Sequence, residues 1–285
     1  MPMKRLDDFT RTLRTTMITQ FQSSQSNFVI SGEKLSSTLV ADEIETLKTF
    51  LSAWFEDIRI IVYIRDPRSY MSSAFQQSAK TTAVLFGLEP FVPEYHRRIG
   101  DWMKVFGREK IDAVLYDRKT FDQGSIIHDF ARRIGADVAR ASSMQRNESL
   151  RAEGLALTYA IRSTIAAKKL PLLQWVRLRA DLYLTPRFGQ RQFDFDDHIY
   201  ERALADQNDD IAWAEQLLRQ EFLVPKRAAN TVIFGSHDDI LQYATKCRPE
   251  FDAWKRTHFG TVRRLAYLAR ALRRRLTLGL HSSQK

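Results

Sequence analysis

The stretch Arg59-Ile-Ile-Val-Tyr-Ile-Arg-Asp-Pro-Arg-Ser-Tyr-Met-Ser-Ser-Ala-Phe-Gln-Gln77 decides the fold. Ile60 to Ile64 is β-branched and aromatic and too short for a helix, so it reads as a buried parallel strand. Arg65 then stands at the carboxyl end of that strand, where open α/β sheets receive their ligands. Asp66 before Pro67 is a helix start: the carboxylate caps free backbone N–H groups, and proline has no N–H to lose at the first helical position. The next turns put Ser69, Ser73, Gln76, Gln77 and Lys80 on one face. A guanidinium fork with hydroxyls near a helix amino end is phosphate-binding chemistry. From strand and helix alone, a solvated polar face with a surface arginine accounts for the pattern equally well.

At these residues the chain resembles the sulfotransferases that use 3′-phosphoadenosine-5′-phosphosulfate (PAPS). In that family an arginine ends a strand, a serine eight residues later lies on the next helix, and the two clamp the nucleotide's 3′-phosphate; Arg65 and Ser73 match that spacing. Upstream, Asn27-Phe-Val-Ile-Ser-Gly-Glu-Lys-Leu35 resembles the family's second strand and its acidic loop. Glu33 there matches the general base, against the plainer reading of a surface glutamate. Downstream, Ile111-Asp-Ala-Val-Leu-Tyr-Asp117 resembles the strand whose tyrosine packs near the adenine, and Tyr116 matches it. Phe121 to Gly135 resembles the helix that follows, and Arg146-Asn-Glu-Ser-Leu150 a segment of the bacterial polysaccharide-type branch. The resemblance spans roughly residues 25 to 150.

It implies an α/β fold, a P-loop-NTPase-like parallel sheet with flanking helices, carrying strands at Phe28–Ser31, Ile60–Ile64 and Ala113–Tyr116. It also implies PAPS as sulfuryl donor and a carbohydrate or polysaccharide acceptor, with Lys34 and Lys80 offsetting phosphosulfate charge. The family's opening strand and its lysine-bearing, glycine- and threonine-rich loop have no counterpart here. The first glycine is Gly32, and the chain enters a helical pattern at once, with Leu6, Phe9, Leu13, Met17 and Phe21. The expected sheet therefore lacks its first strand, and turnover by the chain as given is expected to be weak or absent. A start codon assigned too late, a truncation and a replaced loop all fit; the first two are favoured, because the opening helix would follow directly on the missing loop. A nucleoside-phosphate kinase is disfavoured by the lack of Gly-x-x-x-x-Gly-Lys-Ser/Thr, which leaves a noncatalytic nucleotide- or polysaccharide-binding protein as the alternative.

The 285 residues, 44% of them hydrophobic, suffice for one large α/β domain with a helical part appended. We expect residues 1–150 to form the nucleotide-binding part, 151–254 a helical acceptor-side part, and 255–285 a basic amphipathic helix and tail. Cys247 is the only cysteine and precedes Arg-Pro at an expected helix end; no histidine pair has metal-ligand spacing, so no metal is assigned. With no apolar run long enough for a leader or a membrane span, the expected location is cytoplasmic. Glu148 to Leu170 reads as a helix broken before Pro171, with another from Leu172 to Leu184. Phe193-Asp-Phe-Asp-Asp-His-Ile-Tyr200 has a composition that binds sugars, but acids at a helix entrance explain it more simply. From Lys255 to Lys285 there are nine Lys or Arg and no acid, so the rest of the chain carries only +1 of the net +10. That tail, read as a helix from Trp254 to Leu280, either lies on an anionic membrane or docks on the domain with a solvated basic face. No recognised nucleic-acid motif accompanies the charge.

Overall fold

The computed structural model describes residues 3–23, 26–32, 34–81, 91–137, 149–167, 169–258 and 269, with backbone alone for 3–10 and 122. Along the chain run α1 (Met3–Ser23), α2 (Leu35–Thr38), α3 (Ala41–Ser52), β1 (Ile60–Ile64), α4 (Pro67–Thr81), α5 (Tyr95–Phe106), β2 (Ile111–Leu115) and α6 (Ile126–Arg133). Then follow α7 (Ala152–Ala167), α8 (Leu172–Asp181), β3 (Gln192–Phe195), α9 (Asp197–Leu204), α10 (Asn208–Leu218), β4 (Thr231–Phe234) and α11 (His237–His258). Among the described residues the protein is a mixed α/β chain, mostly helical, with small parallel sheets. Two compact units are formed, Met1–Val62 with Glu94–Val114 and Tyr63–Pro93 with Leu115–Lys285, so the boundary expected at 150 falls inside the second.

In the first unit, Phe21 on α1 is buried against Phe28 and Phe55, with ring centroids 5.0 and 4.9 Å away. That contact explains a correction. Phe28–Ser31 forms no strand, because Phe28 is used as an aromatic plug while Val29 and Ile30 point to solvent, whereas a parallel strand needs both faces covered. Helix α3 opens with Asp42 and Glu43 at its positive end, and the Glu43 carboxylate accepts the Val40 N–H at 3.1 Å. It packs on α5, where Lys48 Nζ donates to the Val105 carbonyl at 2.6 Å. The three-stranded sheet expected from the sequence is thereby reduced to β1 and β2, which pair with each other.

The second unit is organised around α7. Ala152 through Tyr159 are all buried, the pattern of a helix packed on every side. Against it lie Met71, Phe75 and Ala79 of α4 and Ile240, Ala244, Cys247 and Phe251 of α11. Strands β3 and β4 pair in parallel, Phe193 opposite Val232 and Phe195 opposite Phe234. Neither strand was expected. Helix α11 also runs through the Cys247-Arg-Pro segment read as a helix end, with Pro249 inside it. An interior proline costs about 3 kcal/mol, which the buried face on both sides of it offsets. Trp254, read as the start of a separate tail helix, belongs to α11 and stacks on Phe251 at 5.9 Å.

Candidate functional site

The β1–α4 junction forms as the sequence predicts. Ile64 is buried at the strand end, Asp66 Oδ1 accepts the Ser69 N–H at 2.9 Å, and Pro67 occupies the first helical position. The next strand supplies Tyr116, whose N–H donates to the Ile64 carbonyl at 2.7 Å and so holds the ring beside the end of β1. The Arg65 guanidinium lies over that ring, 4.3 Å from its centroid, in cation–π geometry. Phe121 meets the same ring at 83°, and Arg118 Nε donates to Tyr116 Oη at 3.3 Å. Two of the expected site residues thus converge at the carboxyl ends of β1 and β2.

The other expected residues fall as follows. Ser73 is half-buried on α4, one turn beyond Ser69 and on its stripe. Gln76, on the same stripe, is committed to the backbone: its side-chain oxygen accepts the Leu150 N–H at 2.6 Å. Burial lowers the Lys80 pKa. Lys34 is exposed at the start of α2 in the first unit. Glu33, Arg146 to Glu148 and the tail beyond His258, apart from Ala269, lie outside the described residues.

Behind the junction, Tyr63 of β1 donates to Asp129 of α6 at 2.7 Å, and Arg133 Nε and Arg132 Nη2 donate to the same carboxylate at 2.6 and 2.7 Å. Burial pushes the Asp129 pKa up, but these three donors outweigh it and hold the carboxyl at about 2. Burial and the hydrogen bond to Asp129 push Tyr63 up to about 12. This network fixes β1 on α6 and thereby steadies the strand that presents Arg65.

A second polar cluster was not legible in the sequence. Asp194 on β3 accepts from Tyr200 Oη and, at 2.8 Å, from Arg227 Nε. Arg227 also reaches both oxygens of Asp197 at 3.0 Å and donates to the Phe195 carbonyl at 2.7 Å. Arg68 of α4 donates to Asp197 at 2.6 Å and lies 4.8 Å from the Tyr200 ring centroid. Of the acids read as a helix entrance, Asp196 does cap α9 by accepting the His198 N–H at 3.2 Å. The others bind arginines brought in by the tertiary fold. Beside this cluster a cleft of about 180 Å³ opens between α4, β3 and the segment before β4.

Cys247 is buried, and that burial pushes its thiol pKa up, which suits a packing role and opposes a nucleophilic one. Among the described residues no group of three or more His, Cys, Asp or Glu is placed to hold a metal ion. No helix among them is long and apolar enough to cross a membrane.

Neither a protein-family model nor a solved structure matches the chain. It is similar to an uncharacterized protein of Archaeoglobus fulgidus, 27% identical over 128 residues, which cover 43% of this chain and 34% of that protein. The match therefore spans about a third of the relative's length.

Proposed function

We propose that this chain is a PAPS-dependent sulfotransferase-like protein on a P-loop-NTPase-like fold, built to move a sulfuryl group to a carbohydrate and weakly active or inactive as given, for want of the donor loop. One observation carries the reading: Arg65 and Tyr116, from paired strands, meet at 4.3 Å beside the capped first turn of α4. A 3′-phosphate on the guanidinium and an adenine beside the phenol ring require such proximity, because only a ribose separates the two groups. With one ring face under Arg65, the base packs at the ring's edge. Ser73 adds a hydroxyl donor to the phosphate. Glu33 takes the acceptor hydroxyl's proton as that oxygen bonds to sulfur and the sulfur–oxygen bond to the 5′-phosphate breaks. By calorimetry, adenosine 3′,5′-bisphosphate is expected to bind at least ~10-fold tighter than adenosine 5′-monophosphate. Arg65→Ala should remove most of that preference, since a charge-assisted phosphate contact contributes about 1.5–3 kcal/mol. Equal affinities for the two nucleotides in the unmodified chain would rule the clamp out.

A noncatalytic protein that binds nucleotide or polysaccharide at an anionic membrane surface is the second reading, favoured by the run of basic residues at the carboxyl end. Lys255, the first of them, is not available for a surface: it pairs with Asp181 and Asp252 at 2.7 Å. The test is therefore deletion of residues 259–285, which keeps α11 whole. Each basic residue near an anionic bilayer contributes about 1 kcal/mol, so cosedimentation with phosphatidylserine vesicles should fall steeply with salt and vanish on deletion. Vesicle binding that survives the deletion assigns the association to the body of the protein instead.

A further inference from the structure

Arg118 joins Arg65 and Tyr116 without having stood out in the sequence. After β2 the chain turns at Asp117, whose Oδ1 accepts the Lys119 N–H at 2.9 Å and whose carbonyl accepts the Thr120 N–H at 3.1 Å and Thr120 Oγ1 at 2.9 Å. That turn holds Arg118 against the phenol, where its Nε donates to Tyr116 Oη at 3.3 Å. Its Nη1 and Nη2 groups donate to no protein atom among the described residues, and it forms no ion pair among them. Tyr116 Oη, having accepted from Arg118, keeps its own proton to give. The Arg65 guanidinium covers a face of the same ring, 4.3 Å from the centroid. The carboxylates next to these residues in sequence are turned to the backbone, Asp66 to the Ser69 N–H and Asp117 to the Lys119 N–H. The ring therefore gathers two guanidinium forks and a phenol proton, all of them donors.

We propose that Arg118 is the second arm of the phosphate clamp and makes it selective for a terminal phosphate monoester over a singly charged ester. A guanidinium fork matches the geometry of phosphate oxygens. A monoester near neutral pH carries close to two negative charges and presents three acceptor oxygens, enough to meet Arg65, Arg118 and the Tyr116 hydroxyl together. A phosphodiester has one charge and two such oxygens, so one of the three donors is left without an acceptor and one guanidinium without a countercharge. The inference rests on the nucleotide clamp proposed above, but not on sulfuryl transfer.

The experiment is calorimetry of the full chain at about pH 7.5, where the monoester is nearly a dianion. The chain is titrated with adenosine 3′-monophosphate and with adenosine 2′,3′-cyclic monophosphate, which has a single charge. The monoester is expected to bind roughly tenfold tighter, the effect of one charge-assisted contact. Arg118→Gln, at an exposed position, should bring that ratio to about twofold, and Arg118→Lys should restore part of it by returning the charge without the fork. Lys119→Gln, at the exposed position beside it, should leave the ratio as it is. A ratio that Arg118→Gln does not lower overturns the proposal, as does an equal fall in Lys119→Gln, which would mark a general effect of surface charge. If the bisphosphate preference of the unmodified chain depends on Arg65 while the monoester ratio ignores Arg118, the clamp stands and this inference alone falls. If neither nucleotide preference is seen, both fall together.

Discussion

Gly154→Ala is expected to destabilise the second unit by about 3 kcal/mol or more, the upper end of what overpacking costs. Gly154 sits in the buried stretch of α7, where the turn Thr185–Arg187 crosses it. A Cβ there would lie 2.8 Å from the Phe188 carbonyl oxygen and closer still to that of Thr185. Both obstacles are backbone, so neither yields by changing rotamer. The crossing is further tied by Thr158 Oγ1, which donates to the Gly154 carbonyl at 2.7 Å and meets Thr185 Oγ1 at 2.7 Å. Urea denaturation followed by far-ultraviolet circular dichroism measures the effect. A midpoint unchanged from the unmodified protein would show that the crossing is looser than described.

Asp129→Asn is expected to cost roughly 2 kcal/mol at neutral pH, from a carboxyl held at about 2 against its ordinary 3.8. The sign follows from the depressed value in the folded state. The stabilisation is complete above the unfolded pKa near 3.8, declines as pH falls through about 2, and is gone below both. The stability gap between the unmodified protein and Asp129→Asn should therefore be constant from pH 7 to 5 and shrink between pH 4 and 2. Denaturation curves across that range test it, and a gap that does not narrow in acid would assign the loss to packing instead of charge. Tyr63 works in the opposite direction, since its raised value, about 12, keeps the donor protonated until strongly alkaline pH.

Legibility in the sequence followed the range of the forces involved. The β1–α4 junction could be read because its signals are local: five apolar β-formers, then an arginine, a capping aspartate and a proline. Helix α6 falls inside Phe121 to Gly135, the segment expected to be helical by resemblance. Strands β3 and β4 could not be read, because Gln192-Phe-Asp-Phe195 and Thr231-Val-Ile-Phe234 are four residues each and form strands only by finding one another. Phe28–Ser31 carries strand-forming residues but lacks the covering layers a parallel strand requires. The Arg227 pairs with Asp194 and Asp197 depend on that same pairing of β3 and β4, so a scan for local patterns sees only three acids before a helix. Arg65 and Tyr116 stand out in the sequence for separate reasons; their contact is a consequence of strand order.

Helix α4 gives its two neighbouring serines different employment, Ser72 against Tyr200 and Ser73 on the stripe it shares with Gln76. Adjacent helical residues differ by about 100° in direction. Inserting or deleting one residue between Pro67 and Ser72 would therefore turn Ser72 away from Tyr200, change the separation of Arg65 from Ser73, and swing Gln76 away from the Leu150 N–H in one step. The helix is consequently a ruler as well as a wall. Side chains along it can be exchanged one at a time, but a change in its length alters all three of these relations together.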